Sequence, residues 1–127
     1  MKREELKIMV VDDTAVSRGL ITQALDWMQV EGYRTCADGE EALRSLVQKP
    51  VHLVISDYHM PGLDGLGLLE GMRRTRGIER IGFILVTGRA DATVVAKGRA
   101  LGMNNMITKP FTREGMRDCI ERVVGPI

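Results

Sequence analysis

Short apolar runs alternate with longer segments of helical periodicity along the whole chain. The apolar runs predict strands at residues 7–11, 33–37, 52–56, 83–86 and 105–108. The longer segments carry apolar side chains three and four positions apart, which predicts helices at residues 15–28, 65–76 and 91–101 and further helices after Asp38 and Thr112. This alternation is typical of an α/β fold in which helices cover both faces of a five-stranded parallel sheet.

Several helix ends are marked by residues with capping preferences. Asp38 and Glu41 have the three-residue spacing of a capping box, and Thr112 is suited to cap a last helix that runs to about residue 124. Gly102 follows the fourth helix as a natural C-terminal stop. Gly98 lies inside that helix at a cost of about 1 kcal/mol relative to alanine, so it either loosens the face that the helix helps to form or allows close packing.

The composition indicates one soluble globular domain. A chain of 127 residues has the size of a single domain, and its hydrophobic fraction of 44% and charged fraction of 28% are ordinary. A net charge of +1 argues against strong attraction to nucleic acids or acidic membranes. No apolar run approaches the roughly 20 residues of a membrane span. The charged start, residues 1–7, has no signal-peptide features, so a cytoplasmic location is expected.

Polar side chains stand at the carboxyl ends of four predicted strands, where ligand sites form in parallel sheets. The set consists of Asp12 and Asp13 after the first strand, Asp57 after the third, Thr87 after the fourth and Lys109 after the fifth. Converging carboxylates repel one another unless a cation intervenes, and Mg²⁺ prefers such oxygen ligands. Together, Mg²⁺, an ammonium group and a hydroxyl can hold a transferring phosphoryl group, for which a carboxylate is a suitable nucleophile.

Each of these residues taken alone has an ordinary structural explanation. Asp13 can be a helix N-cap, Thr87 can be a strand former and Lys109 can be a surface charge. Asp57 is harder to explain in this way, because an unpaired charge that closes an apolar strand is costly. The occurrence of the whole set at successive strand ends favours a functional site.

Four segments carry a resemblance to a known family. They are VVDD (residues 10–13), SDYHMPGLDG (56–65), VTG (86–88) and TKPF (108–111). Through these segments, and over essentially the full chain, the sequence resembles the receiver domains of two-component response regulators, in particular the stand-alone chemotaxis type called CheY. The resemblance implies the flavodoxin-like strand order 2-1-3-4-5, which is that of CheY itself. It also implies a single receiver domain over residues 1–127, without an output domain.

By this resemblance, Asp57 is the phospho-acceptor that receives a phosphoryl group from a phosphohistidine on a sensor histidine kinase. Asp13 is implied to be a direct Mg²⁺ ligand, and Asp12 to act mainly through a metal-bound water. Asp57 and the backbone carbonyl of His59 complete the protein ligands. The chain is then a signalling switch whose only chemistry is self-directed phosphotransfer and autodephosphorylation, and it is not an enzyme.

The resemblance also implies how the switch is read. Thr87 is expected to move towards a phosphoryl oxygen, and a cis bond before Pro110 is expected to aim Lys109 into the pocket. Phosphorylation would repack the face formed by the fourth helix, fifth strand and fifth helix, about residues 91–124. The implied partners are a CheA-like sensor kinase, a flagellar motor switch protein or another output protein, and a phosphatase. A monomer without nucleic-acid or membrane partners is expected.

Three positions depart from the best-known chemotaxis receivers. Met106 stands on the fifth strand where many receivers carry tyrosine or phenylalanine, so it is expected to be a flexible core filler that alters coupling to the output face. His59 and Arg89 flank the position from which water would attack the acyl phosphate. They are either solvated loop residues or residues that tune the lifetime of the phosphoryl group.

Other functions fit parts of the same pattern. A phosphate sink that drains a shared kinase would use the same chemistry. A haloacid-dehalogenase-type phosphatase also combines an aspartate nucleophile with Mg²⁺, but it needs a second acid where this chain has His59. A flavodoxin-like flavin binder needs a loop rich in hydroxyls and glycine after the first strand, where Asp12 and Asp13 would repel phosphate.

Overall fold

Five strands and five helices alternate along the chain in the computed structural model, which describes residues 1–127. The strands are β1 (Ile8–Val11), β2 (Tyr33–Cys36), β3 (Leu53–Asp57), β4 (Gly82–Thr87) and β5 (Asn105–Thr108). The helices are α1 (Ala15–Trp27), α2 (Gly39–Gln48), α3 (Gly65–Arg73), α4 (Ala92–Ala100) and α5 (Arg113–Val124). All strand pairs are parallel, and the sheet order is β2-β1-β3-β4-β5, which confirms the expected flavodoxin-like architecture.

The sheet separates two hydrophobic cores, because successive side chains of a strand point to opposite faces. On one face, Met9 and Phe83 pack with residues of α2, α3 and α4, among them Leu68. On the other face, Val10 packs with residues of α1 and α5, among them Leu25. All five side chains are fully buried. Burial on both faces explains why the strands are continuous apolar runs in the sequence. None of the helices has the length and apolar character needed to cross a membrane.

Side chains cap the N termini of four helices. Asp38, Asp64, Asp91 and Thr112 each accept a hydrogen bond from the backbone N–H three residues further on. The predicted caps at Asp38 and Thr112 are therefore confirmed. The exception is α1, whose N-cap is Thr14 and whose first turn receives no capping bond from that side chain.

The third helix ends earlier than the apolar pattern predicts. The periodicity extends to residue 76, whereas α3 ends at Arg73 and Arg74 is its C-cap. Gly77 then adopts a φ of 98°, so the chain turns away from the helix axis. The guanidinium of Arg73 donates to the carbonyls of Ile81 at 2.7 Å and Gly102 at 2.9 Å. These bonds join the end of α3 to the start of β4 and to the turn after α4.

The fourth helix packs closely against the segment that leads into β5. Gly98 is buried within α4, and a Cβ atom at this position would collide with the side chain of Met103. Of the two explanations for a glycine here, the structure therefore supports close packing. Gly102 follows the helix with a φ of 88°, which confirms it as the stop for α4.

Candidate functional site

The carboxyl ends of β3, β4 and β5 lie side by side along one edge of the sheet. Asp57 pairs with Val86 in the register of β3 and β4, and the N–H of Tyr58 donates to the Val86 carbonyl at 2.9 Å. The N–H of Lys109 donates to the carbonyl of Thr87 at 2.9 Å, so β5 holds the lysine beside the end of β4. Strand pairing thus brings together polar residues that lie far apart in the sequence.

Asp12, Asp13 and Asp57 form an acidic cluster in which one carboxylate oxygen of each residue lies within 4.8 Å of the others. Asp12 is fully buried, Asp57 is 8% exposed and Asp13 is exposed. Asp13 does not cap α1, because the N-cap is Thr14, so the explanation of Asp13 as a helix cap is wrong. A donor set made only of carboxylate oxygens fits a hard divalent cation such as Mg²⁺, which also retains several waters.

Lys109 brings positive charge to the acidic cluster. Its Nζ lies 3.0 Å from Oδ1 of Asp57, and the lysine side chain is 33% exposed. Burial raises the pKa of Asp57, the hydrogen bond from Lys109 lowers it, and the charge of Asp12 raises it, so the pKa is raised on balance. A cation at the cluster would favour ionised Asp57, the form that can act as a nucleophile.

Residues at the start of α1 hold Asp12 in place. Thr14 donates to Oδ1 of Asp12 through its N–H at 3.0 Å and its hydroxyl at 3.2 Å. Ser17 donates its hydroxyl to Oδ2, and the guanidinium of Arg18 donates to the Asp12 carbonyl at 2.8 Å. The sequence patterns did not single out these residues. Their signal is a pair of hydroxyl side chains two and five positions after a strand-end aspartate.

The hydroxyl of Thr87 is hydrogen-bonded within the loop that follows β4. It donates to the carbonyl of Arg89 and accepts from the Arg89 N–H, both at 3.1 Å. Thr87 is fully buried, whereas Arg89 is exposed. A movement of this hydroxyl towards Asp57 would therefore have to break two hydrogen bonds of the loop.

His59 and Met106 occupy different surroundings near the site. His59 is exposed, and its ring stacks on Tyr58 with 4.6 Å between centroids and 30° between planes. Met106 pairs with Leu85 across β4 and β5, is half-buried, and packs against the core under α2, α3 and α4, as expected for a core filler. The Lys109–Pro110 peptide bond is cis, which is the expected isomer.

Known proteins are similar to this chain in both sequence and fold. The sequence profile of the response regulator receiver domain matches residues 8–121. A relative named probable chemotaxis protein CheY, from Rhizobium etli, is 37% identical over 124 residues, which cover 98% of this chain and 96% of the relative. The structure of chemotaxis protein CheY4 from Vibrio cholerae is similar at a TM-score of 0.86 and 26% identity, with coverage of 93% of this chain and 98% of that one.

A further solved structure bears on the acidic cluster. It is the receiver domain of sensor histidine kinase PA1611 from Pseudomonas aeruginosa, with a magnesium ion coordinated in its active-site cleft. Its TM-score is 0.82 at 28% identity, with coverage of 95% of this chain and 98% of that one. The match of the family profile to most of the chain agrees with the strand order and with the acidic residues at the strand ends. The chain therefore belongs to the response regulator receiver domains of two-component signalling, and it is similar to CheY within that family.

Proposed function

We propose that this receiver accepts a phosphoryl group on Asp57 from the phosphohistidine of a sensor histidine kinase. Receiver domains are signalling switches rather than classical enzymes, and they act with histidine kinases and output proteins. The observation that carries the proposal is the position of the Asp57 carboxylate, 3.0 Å from Lys109 Nζ and within the acidic cluster. A nucleophile flanked by an ammonium group and by oxygen ligands for a cation suits transfer of a highly charged group.

In the proposed transfer, an ionised oxygen of Asp57 attacks phosphorus while the P–N bond to the donor imidazole breaks. The imidazole nitrogen keeps the electron pair of that bond and takes up a proton, and Asp57 becomes an acyl phosphate. Lys109 offsets the charge of one phosphoryl oxygen. Mg²⁺, when bound, would supply positive charge that offsets the negative charge of the phosphoryl group. The residues that would hold it are Asp12, Asp13, Asp57 and the backbone carbonyl of His59.

The output depends on Thr87 in this proposal. After phosphorylation its hydroxyl would leave Arg89 and donate to a phosphoryl oxygen, which favours a second arrangement of α4, β5 and α5. Met106 has no ring that could turn inward. Any contribution of Met106 to coupling between the phosphorylation site and the α4, β5 and α5 face would therefore come from repacking of its flexible side chain. The resemblance to the chemotaxis proteins of Rhizobium etli and Vibrio cholerae supports a flagellar motor switch protein as the partner.

Intact mass spectrometry after incubation with Mg²⁺ and acetyl phosphate tests acceptance of the phosphoryl group. One phosphate adduct is expected, which requires Mg²⁺ and is absent from Asp57→Asn. The proposal is contradicted if the folded wild-type protein forms no adduct with either acetyl phosphate or phosphoramidate. Repeated turnover of unrelated phosphate esters would instead indicate a phosphatase.

The output role has its own test. Backbone NMR of the phosphorylated protein is expected to show shifts in α4, β5 and α5, and these shifts should be absent from Asp57→Asn. A stable phosphate adduct without such shifts would support the phosphate sink instead. This outcome would leave the acceptor chemistry intact and remove only the switch.

His59 and Arg89 are proposed to tune the lifetime of the acyl phosphate. Both side chains are exposed beside the site, and the imidazole of His59 is held against the ring of Tyr58. Loss of the phosphate adduct should therefore proceed at a changed rate in His59→Ala and Arg89→Ala. The measurement is intact mass against time after removal of the donor, and unchanged lifetimes in both variants would show that they are ordinary solvated residues.

A further inference from the structure

Asp12 is a fully buried carboxylate whose two oxygens have different hydrogen-bond donors. Oδ1 accepts from both the N–H and the hydroxyl of Thr14, at 3.0 and 3.2 Å. Oδ2 accepts from the hydroxyl of Ser17. No lysine or arginine side chain forms an ion pair with Asp12. The orientation of this buried carboxylate therefore depends on Thr14, the N-cap of α1, and on Ser17 in the first turn of α1.

The start of α1 differs from that of every other helix in the chain. The other four helices have an N-cap side chain that binds the backbone of the first turn. The N-cap of α1 is Thr14, a residue type well suited to capping, yet its side chain makes no such bond. Its hydroxyl is directed to Asp12 instead. The first turn of α1 thus forgoes a common stabilising contact and places hydroxyl groups around the carboxylate.

The two hydroxyl residues are not equivalent. If Thr14 lost its hydroxyl, its backbone N–H would still donate to Oδ1 of Asp12. Oδ2 has Ser17 as its single side-chain donor in the protein. Ser17 lies in the first turn of α1 and is half-buried at the edge of the acidic cluster. Ser17 is therefore the side chain that supplies the second restraint on rotation of the Asp12 carboxylate about its Cβ–Cγ bond.

We propose that Ser17 is a positioning residue of the cation site, which holds the Asp12 carboxylate in the orientation that serves a bound Mg²⁺. The inference rests on the proposed function, since it concerns the same acidic cluster. Groups that hydrogen-bond to metal-site carboxylates fix their direction and strengthen binding, and their loss typically weakens metal affinity by about 10- to 100-fold. Ser17 does not touch the phosphoryl acceptor, so its effect passes through Asp12.

The test is a titration of the full chain with Mg²⁺ alone. Binding is monitored through the amide NMR signals of Asp13 and Asp57. Ser17→Val and Ser17→Thr form a matched pair, because both are β-branched and differ in a methyl group against a hydroxyl. Ser17→Val is expected to bind Mg²⁺ about tenfold more weakly than wild type, and Ser17→Thr is expected to stay close to wild type. Thr22→Ala is the control within α1, since the Thr22 hydroxyl donates to the Gly19 carbonyl and not to the site.

The possible outcomes separate this inference from the proposed function. Equal Mg²⁺ affinity of Ser17→Val and wild type, when NMR shows that both proteins are folded, would overturn the positioning role of Ser17. It would leave the proposed function unaffected. Equal weakening in Ser17→Val and Ser17→Thr would also overturn it, because the hydroxyl would then not be the cause. A wild-type protein that binds no Mg²⁺ would contradict the proposed metal-dependent function itself. Urea unfolding without Mg²⁺ measures any purely structural effect of each variant.

Discussion

The ammonium nitrogen of Lys109 lies 3.0 Å from Oδ1 of Asp57, although β3 is the central strand of the sheet and β5 is an edge strand. The contact joins a buried carboxylate to a side chain that is 33% exposed. It lowers the pKa of Asp57 against the stronger effect of burial, which raises it. The lysine thus keeps the acceptor closer to its reactive, ionised form and leaves a positive charge where a phosphoryl group would arrive.

Replacing Lys109 by methionine should slow phosphoryl transfer to Asp57. The variant loses the charged donor that is proposed to offset the charge of a phosphoryl oxygen, and loss of such a donor typically costs about a hundredfold in rate. The rate of adduct formation with acetyl phosphate at saturating Mg²⁺ measures the effect by intact mass. Lys49→Met is the control, because Lys49 is an exposed residue at the end of α2 and remote from the site. Similar rates for Lys109→Met and wild type would remove Lys109 from the transfer.

Replacing Asp57 by asparagine should stabilise the metal-free protein at neutral pH. Burial raises the pKa of Asp57, so the folded protein binds this proton more tightly than the unfolded chain does. Stability from this residue is therefore present at low pH and is lost as the pH rises through the folded pKa. Asparagine carries no charge and avoids that loss, and it can still accept a hydrogen bond from Lys109.

Urea unfolding of wild type and Asp57→Asn with a chelator present checks this pH dependence. The free energy of unfolding should be higher for the variant at pH 7, and the difference should shrink at acidic pH, where Asp57 is protonated in wild type too. Added Mg²⁺ should also reduce the difference, because a cation relieves the repulsion among the carboxylates. An Asp57→Asn variant that is less stable than wild type at pH 7 without metal would contradict the raised pKa of Asp57.

Replacing Thr87 by alanine should separate phosphorylation from its structural response. The hydroxyl makes two hydrogen bonds with Arg89 in the loop, and their loss should cost about 1–2 kcal/mol of stability. The variant keeps Asp57, the acidic cluster and Lys109, so it should still form a phosphate adduct. The NMR shifts in α4 and α5 should be much smaller than in wild type, whereas Thr87→Ser should largely retain them. Full-size shifts in Thr87→Ala would exclude Thr87 as the coupling residue.

Two helical glycines should respond differently to substitution by alanine. Gly19 lies within α1 with open space around the position of a Cβ atom, so Gly19→Ala should raise stability by about 0.5–1 kcal/mol through helix propensity. Gly98 faces Met103, and a Cβ atom there would collide with the thioether. Gly98→Ala should therefore raise stability less than Gly19→Ala does, because the half-buried, flexible side chain of Met103 must shift and this offsets part of the gain in helix propensity. Urea unfolding of both variants checks the pair, and an equal or larger gain for Gly98→Ala would show that Met103 moves without cost.

The sequence predicts the sheet and the strand-end residues well, because both follow from local patterns. Apolar runs mark the strands since the sheet is buried on both faces. Asp57 and Thr87 each lie at the end of an apolar run. Because the strands are parallel, the ends of these runs lie at the same edge of the sheet. The resemblance to receivers added the strand order, which alternating strands and helices alone leave open among several topologies.

Features that depend on distant partners were not predictable in the same way. The hydrogen bond from Ser17 to Asp12 requires a particular rotation of α1 against the sheet, which is set by packing rather than by periodicity. The early end of α3 coincides with hydrogen bonds from Arg73 to Ile81 and Gly102, which arise only in the folded chain. Helix ends are in general less reliably predicted than helix positions.

The order of the strands divides the site into two structural halves. The carboxylates stand at the ends of β1 and β3, whereas Thr87 and Lys109 stand at the ends of β4 and β5, next to the face formed with α4 and α5. The halves meet at the contact of Lys109 with Asp57. Substitutions on the outer surfaces of α4 and α5 can therefore accumulate without disturbing the carboxylates. With this division, the surface available for contact with other proteins can change while the carboxylates at the ends of β1 and β3 stay the same.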